Sequence, residues 1–126
     1  MKSARDRVSE HSIQAAFIQR CRWNEAKYPP LKLLWANANG GARNAVTGAM
    51  LKAEGVRAGV PDLFLAWPSG GYHGLFIEMK TPKGRMSPEQ KALMSDLGSA
   101  GYRCVECRSS ERAWLVVMDY LGIRFW

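Results

Sequence analysis

Two acids and a lysine stand where this chain otherwise places apolar residues. Asp62 follows Pro61 at the head of the run Leu63-Phe64-Leu65-Ala66, and Glu78 and Lys80 close the run Leu75-Phe76-Ile77-Glu78-Met79-Lys80. A carboxylate is seldom fully buried unless something pairs with it. Two carboxylates and an ammonium on one spot suit a divalent metal bound through oxygen, with a lysine beside it. Such a centre can hydrolyse a phosphodiester, which needs a nucleophilic hydroxide near neutral pH and relief of charge on the non-bridging oxygens. The lysine contributes a positive charge where negative charge develops.

The spacing brings the three groups together. Pro68-Ser69-Gly70-Gly71-Tyr72 is a cluster of turn formers, so residues 62–67 and 74–80 are predicted to pair as an antiparallel hairpin. A turn centred near Gly70 sets position 62 opposite position 78, each eight residues from the centre. Like charges directly opposite in a sheet repel, so the pair needs a cation. Alternation along a strand puts Phe76, Glu78 and Lys80 on one face, with Lys80 beside the acids. Pro61 falls at a strand start, where its missing N–H costs little. Each residue alone has a plainer reading: Asp62 as a cap after proline, Glu78 as a salt-bridge partner of Lys80 or Arg85, Lys80 as an exposed strand end. All of them in register inside apolar strands favour the site.

The elements that must carry this centre follow from periodicity and punctuation. Residues 8–23 are predicted helical, with Ile13, Phe17 and Cys21 as an apolar stripe on which Glu10 and Gln14 also fall. After a break at residues 27–30, residues 31–36 read as a short strand, and Asn37-Ala38-Asn39-Gly40-Gly41 as a loop. Residues 43–54 form a small-residue helix stopped at Gly55. Beyond the hairpin, residues 81–86 make a basic loop whose Lys83 and Arg85 extend the positive zone toward a nucleic-acid backbone. Ser87-Pro88-Glu89-Gln90 announces a helix to about Ala100, with Ser87 as N-cap and Gln90 in the capping-box position. Residues 102–108 read as a strand and 109–121 as a last helix, its inner face carrying Trp114, Val117, Met118 and Leu121. The order is α, β, α, β, β, α, β, α: an α/β layer arrangement around a mixed central sheet.

At 126 residues and 47% hydrophobic content, the chain reads as a single domain spanning 1–126. Its net charge of +7 and pI near 9.7 call for an acidic partner, of which nucleic acid is the commonest. No run approaches the roughly 18 apolar residues of a membrane span, and no signal-peptide core opens the chain, so an intracellular, cytoplasmic protein is expected. Three cysteines make a poor disulfide framework. Cys104 and Cys107 lie in a predicted strand at odd spacing, pointing to opposite faces, and read as reduced thiols rather than a zinc site. Trp35, Trp67 and Trp114 are expected in the core. His73, at the hairpin tip, reads as a surface residue.

Pro61-Asp62 followed by Glu78-Met79-Lys80 resembles the signature of the PD-(D/E)XK nucleases, and the element order is similar to their restriction-endonuclease-like αβββαβ core with a helix inserted after the first strand. Asn39-Gly40-Gly41, Gly55-Val56, Gly59-Val60-Pro61-Asp62-Leu63, His73-Gly74-Leu75-Phe76-Ile77-Glu78-Met79-Lys80, Ser87-Pro88-Glu89-Gln90 and Gly101-Tyr102 look like the VRR-NUC branch, virus-type replication-repair nucleases found alone in phages and bacteria. The resemblance runs from about Glu10 to Leu121. Ala38 departs from it, standing where many relatives have proline.

What the resemblance implies is a Mg2+- or Mn2+-dependent deoxyribonuclease. Asp62 and Glu78 would ligate metal together with the Met79 backbone carbonyl. Lys80 would orient or activate the attacking water and stabilise charge on the phosphorane. Glu10 matches an acid that the family often supplies from its first helix, and Gln90 the glutamine that follows the catalytic strand. Each also has a structural reading, Glu10 at a helix start and Gln90 in its capping box. Asn37, Asn39 and Arg43 are candidates for nucleic-acid contact, and they also fit a turn and a helix start. The implied substrate is branched or structured DNA, cut by a homodimer resembling a Holliday-junction resolvase, with the tail Ile123-Arg124-Phe125-Trp126 either in the dimer contact or folded on its own core. Flap, exonuclease and restriction-type activities are the alternatives within the enzyme class, and a non-catalytic nucleic-acid-binding subunit is the alternative outside it.

Overall fold

A computed structural model describes residues 9–37 and 45–123. Helix α1, Glu10–Trp23, begins where the Ser9 hydroxyl accepts the Ser12 N–H at 3.0 Å, with Glu10 in its first turn and Arg20 and Arg22 in its last. Ile13, Phe17 and Cys21 bury the predicted stripe. The predicted strand over 31–36 is shorter than expected. Pro29–Leu33 form a 3-10 turn instead, and only Leu34–Ala36 remain as β1. The physical reason is the Pro29-Pro30 pair, whose fixed φ suits the first turn of a helix and not a sheet. Helix α2 is Ala45–Ala53 and ends ahead of Gly55, whose φ is +103°.

Strands β2, Leu63–Leu65, and β3, Leu75–Met79, pair antiparallel with Leu63 on Ile77, Phe64 on Phe76 and Leu65 on Leu75. That register carries position 62 onto position 78, as the count from Gly70 requires. The turn works because Gly70 and Gly71 take φ of +58° and +87°, a pair of left-handed residues that matches strand twist and suits glycine. Ser69 and Tyr72 exchange both backbone hydrogen bonds across it. Helix α3, Pro88–Ser99, opens with the full capping box: the Ser87 hydroxyl accepts the Gln90 N–H at 3.1 Å and the Gln90 side chain accepts the Ser87 N–H at 2.8 Å. It leads into β4, Arg103–Cys107, parallel to β3, and α4, Ser110–Tyr120, capped by Ser109. The sheet runs β1-β2-β3-β4, antiparallel twice and then parallel, which makes it mixed.

The two faces of this sheet differ. Leu34, Leu63, Leu65, Leu75, Ile77, Met79 and Cys107 point into a core closed by α1 and by Ala113, Trp114, Val117 and Met118 of α4. Each such side chain contributes roughly 1.5–3 kcal/mol by leaving water. On the other face Trp35, Phe64 and Phe76 line up in register, with Phe64 and Phe76 stacked at 4.4 Å. Helix α3 buries no residue of its own. Trp35 and Trp67 are therefore not core residues: they stay 43% and 41% exposed, because Trp35 lies on the face that α1 and α4 do not cover and Trp67 lies beyond the end of β2. Trp114 is buried as expected. Burial pushes the Cys21 and Cys107 thiols up to about 12 and about 11, and Cys104 is half-buried with its thiol also raised. Among the described residues no helix is long and apolar enough to cross a membrane.

Candidate active site

Asp62 stands one residue before β2 begins, and Glu78 one residue before β3 ends. The Met79 N–H, which the short β2 leaves without a ladder partner, donates to Asp62 Oδ2 at 2.7 Å. The Asp62 N–H in turn donates to Glu78 Oε1 at 3.2 Å. Each carboxylate is thus held by backbone of the opposite strand, and the two face each other. Asn37 fixes the approach, accepting Asp62 into the edge of the sheet: its own N–H donates to the Asp62 carbonyl and its side-chain amide to the Pro61 carbonyl, both at 2.8 Å. Gly59 fixes it from the other side, because a Cβ there would stand 2.7 Å from the Glu89 carbonyl oxygen. The backbone ahead of Pro61 therefore packs directly onto the start of α3.

Glu78 is 1% exposed and Lys80 8%. Lys80 Nζ lies 3.4 Å from Glu78 Oε2 and 3.5 Å from Glu10 Oε1, so the first residue of α1 reaches the strand end. Gln90 Nε2 donates to Glu78 Oε2 at 2.9 Å while its Oε1 closes the capping box. One amide serves both the helix and the site. Burial is the main reason that the Glu78 carboxyl is pushed up to about 7; the adjacent Asp62 charge raises it further and Lys80 partly offsets both.

Asp62, Glu78, Lys80, Glu10 and Gln90 thus converge. Lys83 and Arg85 are exposed on the segment after β3, outside the cleft that contains the acids. Asn39 and Arg43 lie outside the described residues, as do Arg124, Phe125 and Trp126, while Ile123 packs against the core. The cleft, of about 1160 Å³, is lined by Glu10, Asp62, Glu78 and Gln90 together with Lys52 and residues 55–60, Arg57 among them. Sequence reasoning passed over Lys52 and Arg57, since only the fold returns them to the acids. Asn37 carried a signal as a turn former before a glycine-rich loop, but none that tied it to Asp62.

The donor set fits a hard dication. Among the described residues, no three side chains of His, Cys, Asp and Glu gather into a complete metal cage. Magnesium does not require one: it is ordinarily held by one or two carboxylates, retained waters and substrate phosphate. Asp62 and Glu78 supply two facing carboxylates, each held by a backbone N–H from the opposite strand.

The VRR-NUC domain model matches residues 36–111, the stretch that contains both acids, Lys80 and Gln90. A solved structure described as a VRR_NUC domain protein shares the fold, with a TM-score of 0.77 and 24% identity over 98% of this chain and 93% of that one. The comparison with curated proteins returned no match. With that model matched over more than half of its length, the chain belongs to the VRR-NUC domain family, nucleases of the PD-(D/E)XK type that act on DNA and generally use divalent metals.

Proposed function

We propose that this chain is a single-domain, Mg2+- or Mn2+-dependent endodeoxyribonuclease that cuts branched or structured DNA in the manner of a Holliday-junction resolvase. The observation that carries the reading is the reciprocal pairing of Asp62 and Glu78 across the hairpin, with Lys80 against Glu78. Asp62, Glu78 and the Met79 carbonyl would hold the metal, with Glu10 as a further ligand. When bound, the metal lowers the pKa of a water and offsets charge on the phosphoryl oxygens. Lys80 would direct its ammonium to the attacking water and to the negative charge that builds on the phosphoryl oxygens. Glu10 and Glu78 hold that ammonium in place, so it meets the substrate already oriented. Gln90 fixes one Glu78 oxygen. Lys52 and Arg57 line the same cleft, where they can meet the DNA backbone, and Lys83 and Arg85 extend the basic surface beyond it.

A homodimer is part of the proposal, because a two-fold pair of sites matches the two cuts a four-way junction requires. Its support is the half-covered aromatic face of Trp35, Phe64, Phe76 and Tyr102. The test incubates the protein with a four-way junction, a flap, linear duplex and single strand, in Mg2+, Mn2+ and EDTA, beside Asp62→Asn and Lys80→Ala. The expected result is paired, metal-dependent incision of the junction and a dimer by light scattering. Cleavage in EDTA or full activity of Asp62→Asn contradicts the mechanism. Preferred cutting of flaps or ends moves the substrate class, and binding without cutting in every metal leaves a DNA-binding subunit.

A further inference from the structure

The parallel strand beside the site ends on a charged pair of its own. Arg108 follows β4, and its Nη1 donates to three carbonyl oxygens, those of Thr81 at 2.8 Å, Pro82 at 3.1 Å and Gly84 at 2.7 Å. Its Nη2 pairs with Glu106 Oε1. Residues 81–84 form a β-turn closed by the Gly84 N–H on the Thr81 carbonyl at 3.1 Å, with Pro82 in the second position that its fixed φ suits. Three carbonyl dipoles converging on one point repel one another unless a cation sits there. The guanidinium is that cation, and a planar fork anchored by Glu106 holds it more rigidly than an ammonium could.

The turn lies against Lys80. A Cβ on Gly84 would stand 3.5 Å from Lys80 Cδ and 3.1 Å from the Thr81 hydroxyl oxygen. The Lys80 N–H also donates to the Cys107 carbonyl at 2.9 Å, one residue before Arg108. The lysine backbone is thereby tied to the strand end that carries Arg108, and its stem lies against the turn that Arg108 holds.

We infer that Arg108 is a positioning residue for Lys80: its guanidinium latches the 81–84 turn over the lysine stem and keeps Nζ between Glu78 and Glu10. The inference rests on the reading of Lys80 as the catalytic cation. Arg108 is not a phosphate ligand in this account, since both terminal nitrogens are engaged by the chain's own oxygens.

The test compares wild type, Arg108→Met, Arg108→Ala, Arg108→Lys, Lys80→Met and Arg108→Met/Lys80→Met for junction cleavage and DNA binding. Arg108→Met is expected to lower kcat about 10- to 100-fold, the scale of a small misplacement of a reacting group, with KM changed by less than about twofold. Arg108→Lys should recover part of the loss, and guanidinium ion added to Arg108→Ala should recover more. In the Lys80→Met background, Arg108→Met should cost no more than about twofold, because the two act through one group. In the metal-free protein, labelling of the Lys80 amine by trinitrobenzenesulfonate, followed by mass spectrometry, should quicken several-fold in Arg108→Met. Circular dichroism checks folding; if Arg108→Met does not fold, Arg108→Lys alone and with Lys80→Met carries the same comparison. Unchanged kcat, a raised KM at unchanged kcat, or a full multiplicative cost without Lys80 overturns the inference. Lys80→Met cutting at the wild-type rate overturns the reading beneath it, and does so without reference to any Arg108 variant.

Discussion

Neighbouring parallel strands end on the same pattern and do different things with it. β3 closes with Glu78-Met79-Lys80 and runs on into the site; β4 closes with Glu106-Cys107-Arg108, and the register sets Glu78 beside Glu106 and Met79 beside Cys107. In each, a glutamate and a cation two residues apart share a face and pair. Glu78 has an antiparallel neighbour that brings a second acid against it, a glutamine from α3 and almost no exposure. Glu106 keeps 29% of its side chain exposed, and its arginine turns to the carbonyls of a loop. An acid and a base at this spacing therefore make a latch by default. A reactive centre needs the opposing strand to add a like charge and the packing to exclude water.

That contrast can be broken at several points. The largest effect is expected from Asp62→Asn, which removes the opposing acid and should lower cleavage on the order of 10³-fold or more, against less than about tenfold for Glu106→Gln, as measured by initial rates in Mn2+. Gln90→Ala should lower metal affinity or cleavage about 10- to 100-fold by releasing Glu78 Oε2. The same change should cost about 1 kcal/mol in denaturant melts by opening the capping box.

The pH dependence of stability reports the burial of Glu78 in the metal-free protein. Glu78 titrates near 7 in the folded chain and near its ordinary 4.5 when unfolded, so between those values the folded state binds more protons. Stability should fall as pH rises from about 4.5 through about 7, by on the order of 3 kcal/mol, and stay low above that. Glu78→Gln should flatten the slope. A denaturation midpoint that rises over this window in the metal-free wild type would contradict the sign. The smallest effect is expected for Glu10→Gln, a half-exposed partner of Lys80, at about tenfold or less in rate.

Much of the site was legible because its geometry is local. The turn glycines set the hairpin register by counting, and Ser87-Pro88-Glu89-Gln90 set the start of α3 by capping chemistry. The second bond of Gln90, to Glu78, was beyond periodicity, since it depends on how α3 docks against β3. Arg108 left no signal, because its carbonyl partners lie 24 to 27 residues earlier and carbonyls carry no sequence identity. Trp35 misled for the opposite reason: its size suggests a core, and only the register shows it on the face that α1 and α4 leave open. The Pro29-Pro30 pair was readable as a break, yet its consequence, a 3-10 turn that shortens β1, requires knowing where the sheet begins.

The proposed metal centre depends on the opposing acid Asp62 and not on the glutamate-and-cation pattern alone. Mn2+ binding followed by electron paramagnetic resonance on wild type, Asp62→Asn and Glu106→Gln tests it directly. Wild type and Glu106→Gln should bind with similar affinity, and Asp62→Asn should bind at least about 10-fold more weakly. Equal binding in Asp62→Asn, or a loss confined to Glu106→Gln, would contradict the account.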